Sequence, residues 1–138
     1  MPFFSNTEEV QKIMEALWNN IKANPEIAAP LLQSKLIVQF HYREPAGRLT
    51  VDCSDGVNMI IVWGEYDKKP TVEMFMKADV AHQFWLGKVN VPVYLISGKI
   101  VAKGPVNKAL ALLPAVKPAF VIYNDIFEDT LQRPLISA

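Results

Sequence analysis

Between Leu36 and Lys77 the spacing of apolar residues changes period, and this change limits what the chain can fold into. Upstream, Val10, Ile13, Met14, Leu17, Trp18 and Ile21 recur at intervals of three and four, which places them on one stripe of a helix. Ser5 and Glu8 stand at capping-box spacing before that stripe, and Asn24-Pro25 marks its end. From Leu36 the chain alternates instead. Leu36, Val38, Phe40 and Tyr42 fall on one face of a strand, and Ile37, Gln39, His41 and Arg43 on the other. A chain that carries both periods is a mixed α/β fold.

The alternating segments predict strands over Leu36–Arg43, Arg48–Asp52, Asn58–Trp63, Thr71–Lys77 and Lys99–Lys103. Pro45-Ala-Gly47, Asp55-Gly56 and the stretch from Asp67 to Pro70 supply turns between the first four. Three short links in a row predict an antiparallel meander, because parallel neighbours need longer crossovers. Around the strands, Pro25 to Lys35 reads as a helical turn or two interrupted by Pro30. Asp79 is placed to cap a helix from Val80 to Leu86, which Gly87 would stop. Val91 to Ile96 fits a strand or a helix equally. Pro105 opens a further helix that Pro114 ends, and Pro118 opens a last one through Phe120, Tyr123, Phe127 and Leu131. No repeat or linker divides the chain, so residues 1–138 are expected to form a single domain.

Fourteen basic and fourteen acidic residues cancel, so the electrostatic footprint of a nucleic-acid binder is missing and at most transient membrane contact is expected. Hydrophobic residues make up 51% of the chain, which suits either a thick core or a cavity with apolar walls. Cys53 is the only cysteine, so no internal disulfide forms and a reducing compartment fits. Met1-Pro-Phe-Phe is too short an apolar run for a signal sequence, and no apolar run reaches membrane-spanning length. The expected location is the cytosol.

Reactive groups are sparse and isolated in the sequence. His41 and His82 have no acidic or histidine neighbour at metal-ligand spacing. Cys53 alternates with Val51 on a strand face that should be buried, where a thiol is inert. Asp52 and Asp55 bracket a hairpin, where turn chemistry and solvation account for them. No phosphate loop, nucleophile elbow or zinc-protease motif occurs. No catalytic residue, metal ligand or cofactor is therefore predicted. Met59, Trp63, Met74, Phe75, Met76, Phe84, Trp85 and Tyr94 crowd one central window. They read either as plain core or as adaptable walls for a ligand of variable shape.

The stretch Thr71-Val-Glu-Met-Phe-Met-Lys-Ala-Asp-Val-Ala-His-Gln-Phe-Trp-Leu-Gly-Lys-Val-Asn90 resembles the signature region of sterol carrier protein domains, in which a strand leads into a short helix and a Gly-Lys turn. The part that follows is similar to the family's second half: Ser97-Gly98-Lys99, a short strand over Ile100 to Lys103, Gly104, and a closing Ala- and Leu-rich helix from Pro105 to Leu113. The resemblance runs from about Leu36 to Leu113. It implies an α/β (α+β) fold with a mainly antiparallel five-stranded sheet covered on one face by helices. It also implies an apolar tunnel between sheet and helices for a lipid or fatty acyl ligand. On that pattern Trp63, Met74, Met76, Phe84, Trp85, Leu95 and Phe120 are the expected ligand-binding residues. The expected function is binding and transfer of fatty acid, acyl-CoA, sterol or phospholipid, without catalysis. The alternative is a dimerising or regulatory module that uses the same fold with a filled core.

Overall fold

The computed structural model describes residues 2–133. Helix α1 (Thr7–Lys22) buries all six residues of the N-terminal apolar stripe. Its cap lies one residue beyond the expected Ser5. Asn6 Oδ1 accepts from the Glu9 amide at 3.0 Å, and the Glu9 carboxylate accepts from the Ser5 amide at 2.7 Å. Helix α2 (Pro25–Ser34) is one ten-residue helix, capped by Asn24, with Pro30 inside it. Pro30 removes one backbone hydrogen bond, a loss that burial of Ile27, Ala28 and Leu31 offsets.

Five strands follow within two residues of their expected limits: β1 (Ile37–Arg43), β2 (Gly47–Asp52), β3 (Ile60–Trp63), β4 (Val72–Lys77) and β5 (Ile100–Lys103). They form one sheet in the order β3-β2-β1-β4-β5. Three of the four pairings are antiparallel, but β1 and β4 run parallel. The sheet is therefore mainly antiparallel without being the expected meander. Its departure has a simple geometric basis. To reach β4 from β3 the chain must pass β2 and β1, three strand spacings or about 14 Å. Residues 64–71 could span about 26 Å if extended, so a link short enough for a hairpin is also long enough to cross the sheet.

A buried carboxylate secures this crossing. Asp52, at the end of β2, is only 1% exposed. It accepts hydrogen bonds from the Ser54 amide at 2.8 Å and from the Tyr66 hydroxyl, and the Lys68 ammonium lies 3.5 Å away. Tyr66 and Lys68 both belong to the crossing segment. At its far end the Thr71 amide donates to the Ile37 carbonyl at 2.7 Å, and Thr71 Oγ1 accepts from the Ile37 amide at 3.1 Å. Asp52 is thus a buried anchor and not the solvated turn residue its position suggested. Asp55 does act as a turn residue, accepting from the Val57 and Asn58 amides at 2.7 Å each.

The two faces of the sheet differ in chemistry. Gln39 and Thr50 share a buried hydrogen bond of 2.9 Å on the face the crossing segment covers. His41 lies there too, 2.9 Å from Glu73 and stacked on Phe75 at 4.3 Å. Glu73 is a partner that the spacing around His41 did not reveal, because it arrives across the parallel ladder. The other face carries Val38, Phe40, Tyr42, Val51, Met74 and Met76, and the helices pack over it.

Helix α3 (Ala78–Trp85) starts directly after β4 without a side-chain cap. The Asp79 carboxylate accepts instead from the Phe3 amide at 2.9 Å, which ties down the N-terminal segment. The ambiguous stretch is helix α4 (Val91–Ser97). Asn90 caps it, Pro92 sits in its first turn, and Gly98 ends it at a φ of 79°. After β5, Gly104 passes so close to the Thr71 carbonyl that an added Cβ would lie 2.2 Å from its oxygen, so only glycine fits. Short helices α5 (Val106–Leu110) and α6 (Leu113–Val116) lead to α7 (Ala119–Leu131), which buries Tyr123 and Phe127 and packs along α1.

Burial pushes the Asp52 carboxyl up, but the Ser54 and Tyr66 hydrogen bonds and the Lys68 charge outweigh it and hold the group down at about 2, against 3.8 in an unfolded chain. A lowered native pKa contributes stability above the unfolded value and loses it as pH falls through the native one. The expected contribution is about 2 kcal/mol at neutral pH. Urea unfolding across pH should therefore show stability falling from pH 3.8 toward about 2. The Asp52→Asn variant should be weaker at pH 7, and its acid limb should be flatter.

Candidate functional site

Between the apolar face of the sheet and the helices lies a cavity of about 120 Å³. A water needs roughly 10–15 Å³ on this measure, so there is room for roughly ten groups of that size, far more than a packing defect. Alternation on the strands builds the floor. Phe40 and Tyr42 on β1 stand beside Met74 and Met76 on β4, with Val51 on β2 and Ile100 on β5 completing it. The far wall comes from Trp18 on α1, Leu31 on α2, Phe84 and Trp85 on α3, Val91 on α4 and apolar residues of α5 and α6.

Polar groups in the lining are few and mostly occupied. Ser34 is the aliphatic hydroxyl, and it donates to the Leu31 carbonyl at 2.6 Å while accepting from the Leu36 amide at 3.2 Å. The Tyr42 hydroxyl is held above its ordinary pKa by burial. The Cys53 thiol is raised to about 11, first by burial and then by the nearby charges of Asp52 and Asp55. A thiol with that pKa is protonated at neutral pH and a poor nucleophile. The chemistry of this wall is the transfer of an apolar group out of water.

Of the residues singled out in the sequence, Met74, Met76, Phe84 and Trp85 converge on the cavity. Trp63, Leu95 and Phe120 do not line it. Trp63 belongs to the edge strand β3, where its ring stacks on Tyr42 at 6.2 Å and covers Gly47. Phe120 stands behind the wall, edge-on to Phe84 at 5.4 Å and to Trp85 at 6.0 Å. Leu95 lies one turn beyond Val91 on α4 and packs against the core. Trp18, Phe40 and Tyr42 also line the cavity, though they were not among the expected site residues. All three stood on apolar faces already identified, and nothing local marks which stretch of such a face borders a void.

His82 is buried at 1% exposure, with Nδ1 2.6 Å from the Tyr123 hydroxyl and its ring stacked on Phe3 at 4.0 Å. It joins α3 to α7 and to the N-terminal segment and does not line the cavity. Among the described residues no three His, Cys, Asp or Glu side chains converge in a way that would hold a metal ion.

The architecture is matched by solved structures, with little sequence identity. The sterol carrier protein domain 2 of Helicoverpa armigera superposes with a TM-score of 0.61 at 19% identity, over 99% of each chain. Sterol carrier protein 2 from Yarrowia lipolytica, in its apo form, gives 0.59 at 15% identity, over 96% of this chain and 97% of that one. Palmitated SCP2L2 from Aedes aegypti gives 0.54 at 18% identity, over 74% and 92%. No family model matches the sequence, and no curated protein matches it.

The thiol in the cavity wall offers a direct check on its environment. At neutral pH Cys53 should react with a thiol reagent far more slowly in the native protein than in urea, and a native rate like that of a free cysteine would contradict its burial. Taken with the sheet order and the cavity's position, the superpositions establish that this chain has the sterol carrier protein fold.

Proposed function

We propose that the protein binds a lipid in the cavity between sheet and helices and transfers it between lipid surfaces, without catalysing a reaction on it. The observation that carries this reading is the cavity itself, with its almost wholly apolar lining. A filled-core interaction module would have these walls in contact. The palmitated state of a protein with the same fold supports a fatty acyl ligand. Roughly ten methylenes in such a space would gain about 8 kcal/mol before the cost of immobilising the chain. Because this gain follows area and not direction, the walls would accept tails of several kinds.

Transfer needs a way to meet a lipid surface, and the overall neutrality of the chain conceals one. From Val80 to Asn124 the sequence holds five lysines and no carboxylate. Lys88, Lys99, Lys103, Lys108 and Lys117 are all exposed. The same segment supplies α4, α5 and α6 to the cavity wall and leaves Val93 52% and Ile96 89% exposed. Lysines beside exposed aliphatic side chains suit brief contact with an anionic bilayer, each lysine contributing about 1 kcal/mol near the surface. A cytosolic setting belongs to this reading and is supported by the single unpaired cysteine.

Mass spectrometry of an organic extract of the purified protein should find bound lipid, and a fluorescent fatty acid should bind. A protein that neither carries nor binds lipid would end this reading. Met74→Glu should weaken binding by about tenfold or more, because a carboxylate in an apolar wall must be desolvated or neutralised. Stopped-flow transfer of the fluorescent acid should be faster to anionic than to zwitterionic vesicles, and salt should slow it. Equal rates to both would remove the lysine-rich segment from the mechanism.

A further inference from the structure

Between β5 and α7 the chain passes over the cavity as a strap, from Pro105 to Lys117, that has no polar tie to the body. Its backbone hydrogen bonds close within residues 104–120, and among the described residues none of its side chains makes a hydrogen bond or an ion pair. Helices α5 and α6 are five and four residues long, and neither has a side-chain cap. Helices so short do not persist without packing. The packing is thin as well. Val116 is buried and α6 rests on α2, but Val106, Leu110, Leu112 and Leu113 are only part-buried, and the side they turn inward lines the cavity. The two ends are firm by contrast. Gly104 lies tight against the Thr71 carbonyl, and Ala119 and Tyr123 are fully buried. A weak middle between fixed ends can lift while the sheet and α7 stay in place.

The outward side of the strap differs. Asn107, Lys108, Ala111, Pro114 and Lys117 are exposed, and no carboxylate stands among residues 80–124 to offset the two lysines. Lifted into water, the strap would expose Val106, Leu110, Leu112 and Leu113, so in water it stays down. Against an anionic bilayer the same step costs little. The acyl boundary accepts the aliphatic side chains, and the headgroups attract Lys108 and Lys117. We propose that the strap Pro105–Lys117 is the door of the cavity, shut in water and lifted by contact with an anionic bilayer so that a lipid tail passes beneath it. The inference rests on the lipid-binding reading and deepens it by naming the element that moves. A tail inside the cavity would add contacts to the inner side of the strap, so the loaded protein holds its door shut away from a membrane.

Nitroxide labels at Ala111→Cys on the strap and Lys22→Cys at the end of α1, in a Cys53→Ala background, read the movement as an electron–electron distance. Vesicles containing phosphatidylserine should add a component shifted by roughly 10 Å, the helix diameter that the strap must clear. Phosphatidylcholine vesicles should not add it, and a Lys22→Cys, Lys77→Cys pair across the body should not change on either. The proposal is overturned if the strap pair is unchanged on the phosphatidylserine vesicles, or if phosphatidylcholine moves it equally. It is also overturned if both pairs change together, since that is unfolding and not a door. Hydrogen exchange tests the wild type without any substitution, should the labelled variants fail to fold. Amides of residues 106–117 should exchange faster than those of the sheet, and saturation with the fluorescent fatty acid should slow them about tenfold. A protein that binds the acid with exchange there unchanged would refute the door and leave the lipid carrier intact, whereas no binding of the acid would sink both.

Discussion

In the ladder between β1 and β4, Phe40 lies opposite Met74 and Tyr42 opposite Met76, and everything on the helical side of the sheet depends on that register. Side chains on a strand alternate between faces, so a slip of one residue would carry Met74 and Met76 to the outer face. Glu73, Phe75 and Lys77 would then point at the helices, and the cavity floor would carry charge. The register is held from outside the ladder. Asp52 fixes the crossing segment through Tyr66 and Lys68, and Thr71 closes on both backbone groups of Ile37. A buried carboxylate is costly unless paired and hydrogen-bonded, and two of its partners here, Tyr66 and Lys68, come from chain that must be in place for β4 to dock. The polar side of the sheet thus sets the geometry of the apolar side.

The opposite end of the molecule is closed by a second set of contacts that ties the N-terminal segment to the last helix. Arg133 donates to the Phe3 carbonyl at 2.6 Å, pairs with Glu9 at 3.0 Å and lies over the Phe3 ring at 4.2 Å. Phe3 in turn stacks on His82, which meets Tyr123. These contacts hold α1, α3 and α7 together as one unit. Among the described residues the helices α4, α5 and α6 have no comparable clamp and bury only Val91 and Val116. One wall of the cavity is therefore firmly built and the other lightly held, and low local burial is where a fold opens at least cost.

Periodicity made the elements legible and left the arrangement open. The stripe on α1 and the alternation on the strands are written in side-chain type, and both survive in the structure with shifts of one or two residues. The parallel pairing of β1 and β4 is not written there, because an eight-residue link fits a hairpin and a crossing equally well. The cavity was legible only in part for a related reason. Apolar residues that line a void and those that fill a core look alike in sequence. Met74, Met76, Phe84 and Trp85 fall on the void, while Trp63 and Phe120, of the same chemical kind, pack against neighbours beside it.

A cavity of about 120 Å³ also enters the mechanical response of the molecule. Unfolding abolishes internal voids, so the unfolded chain with its solvent occupies less space than the folded one, and hydrostatic pressure favours it in proportion to the void lost. The empty form is for this reason the compressible one. A tail that filled the cavity would remove that weakness and add its own contacts to both walls, so occupancy and rigidity rise together. On the proposed function, the space that costs resistance to pressure is then the same space through which a bound lipid would restore it.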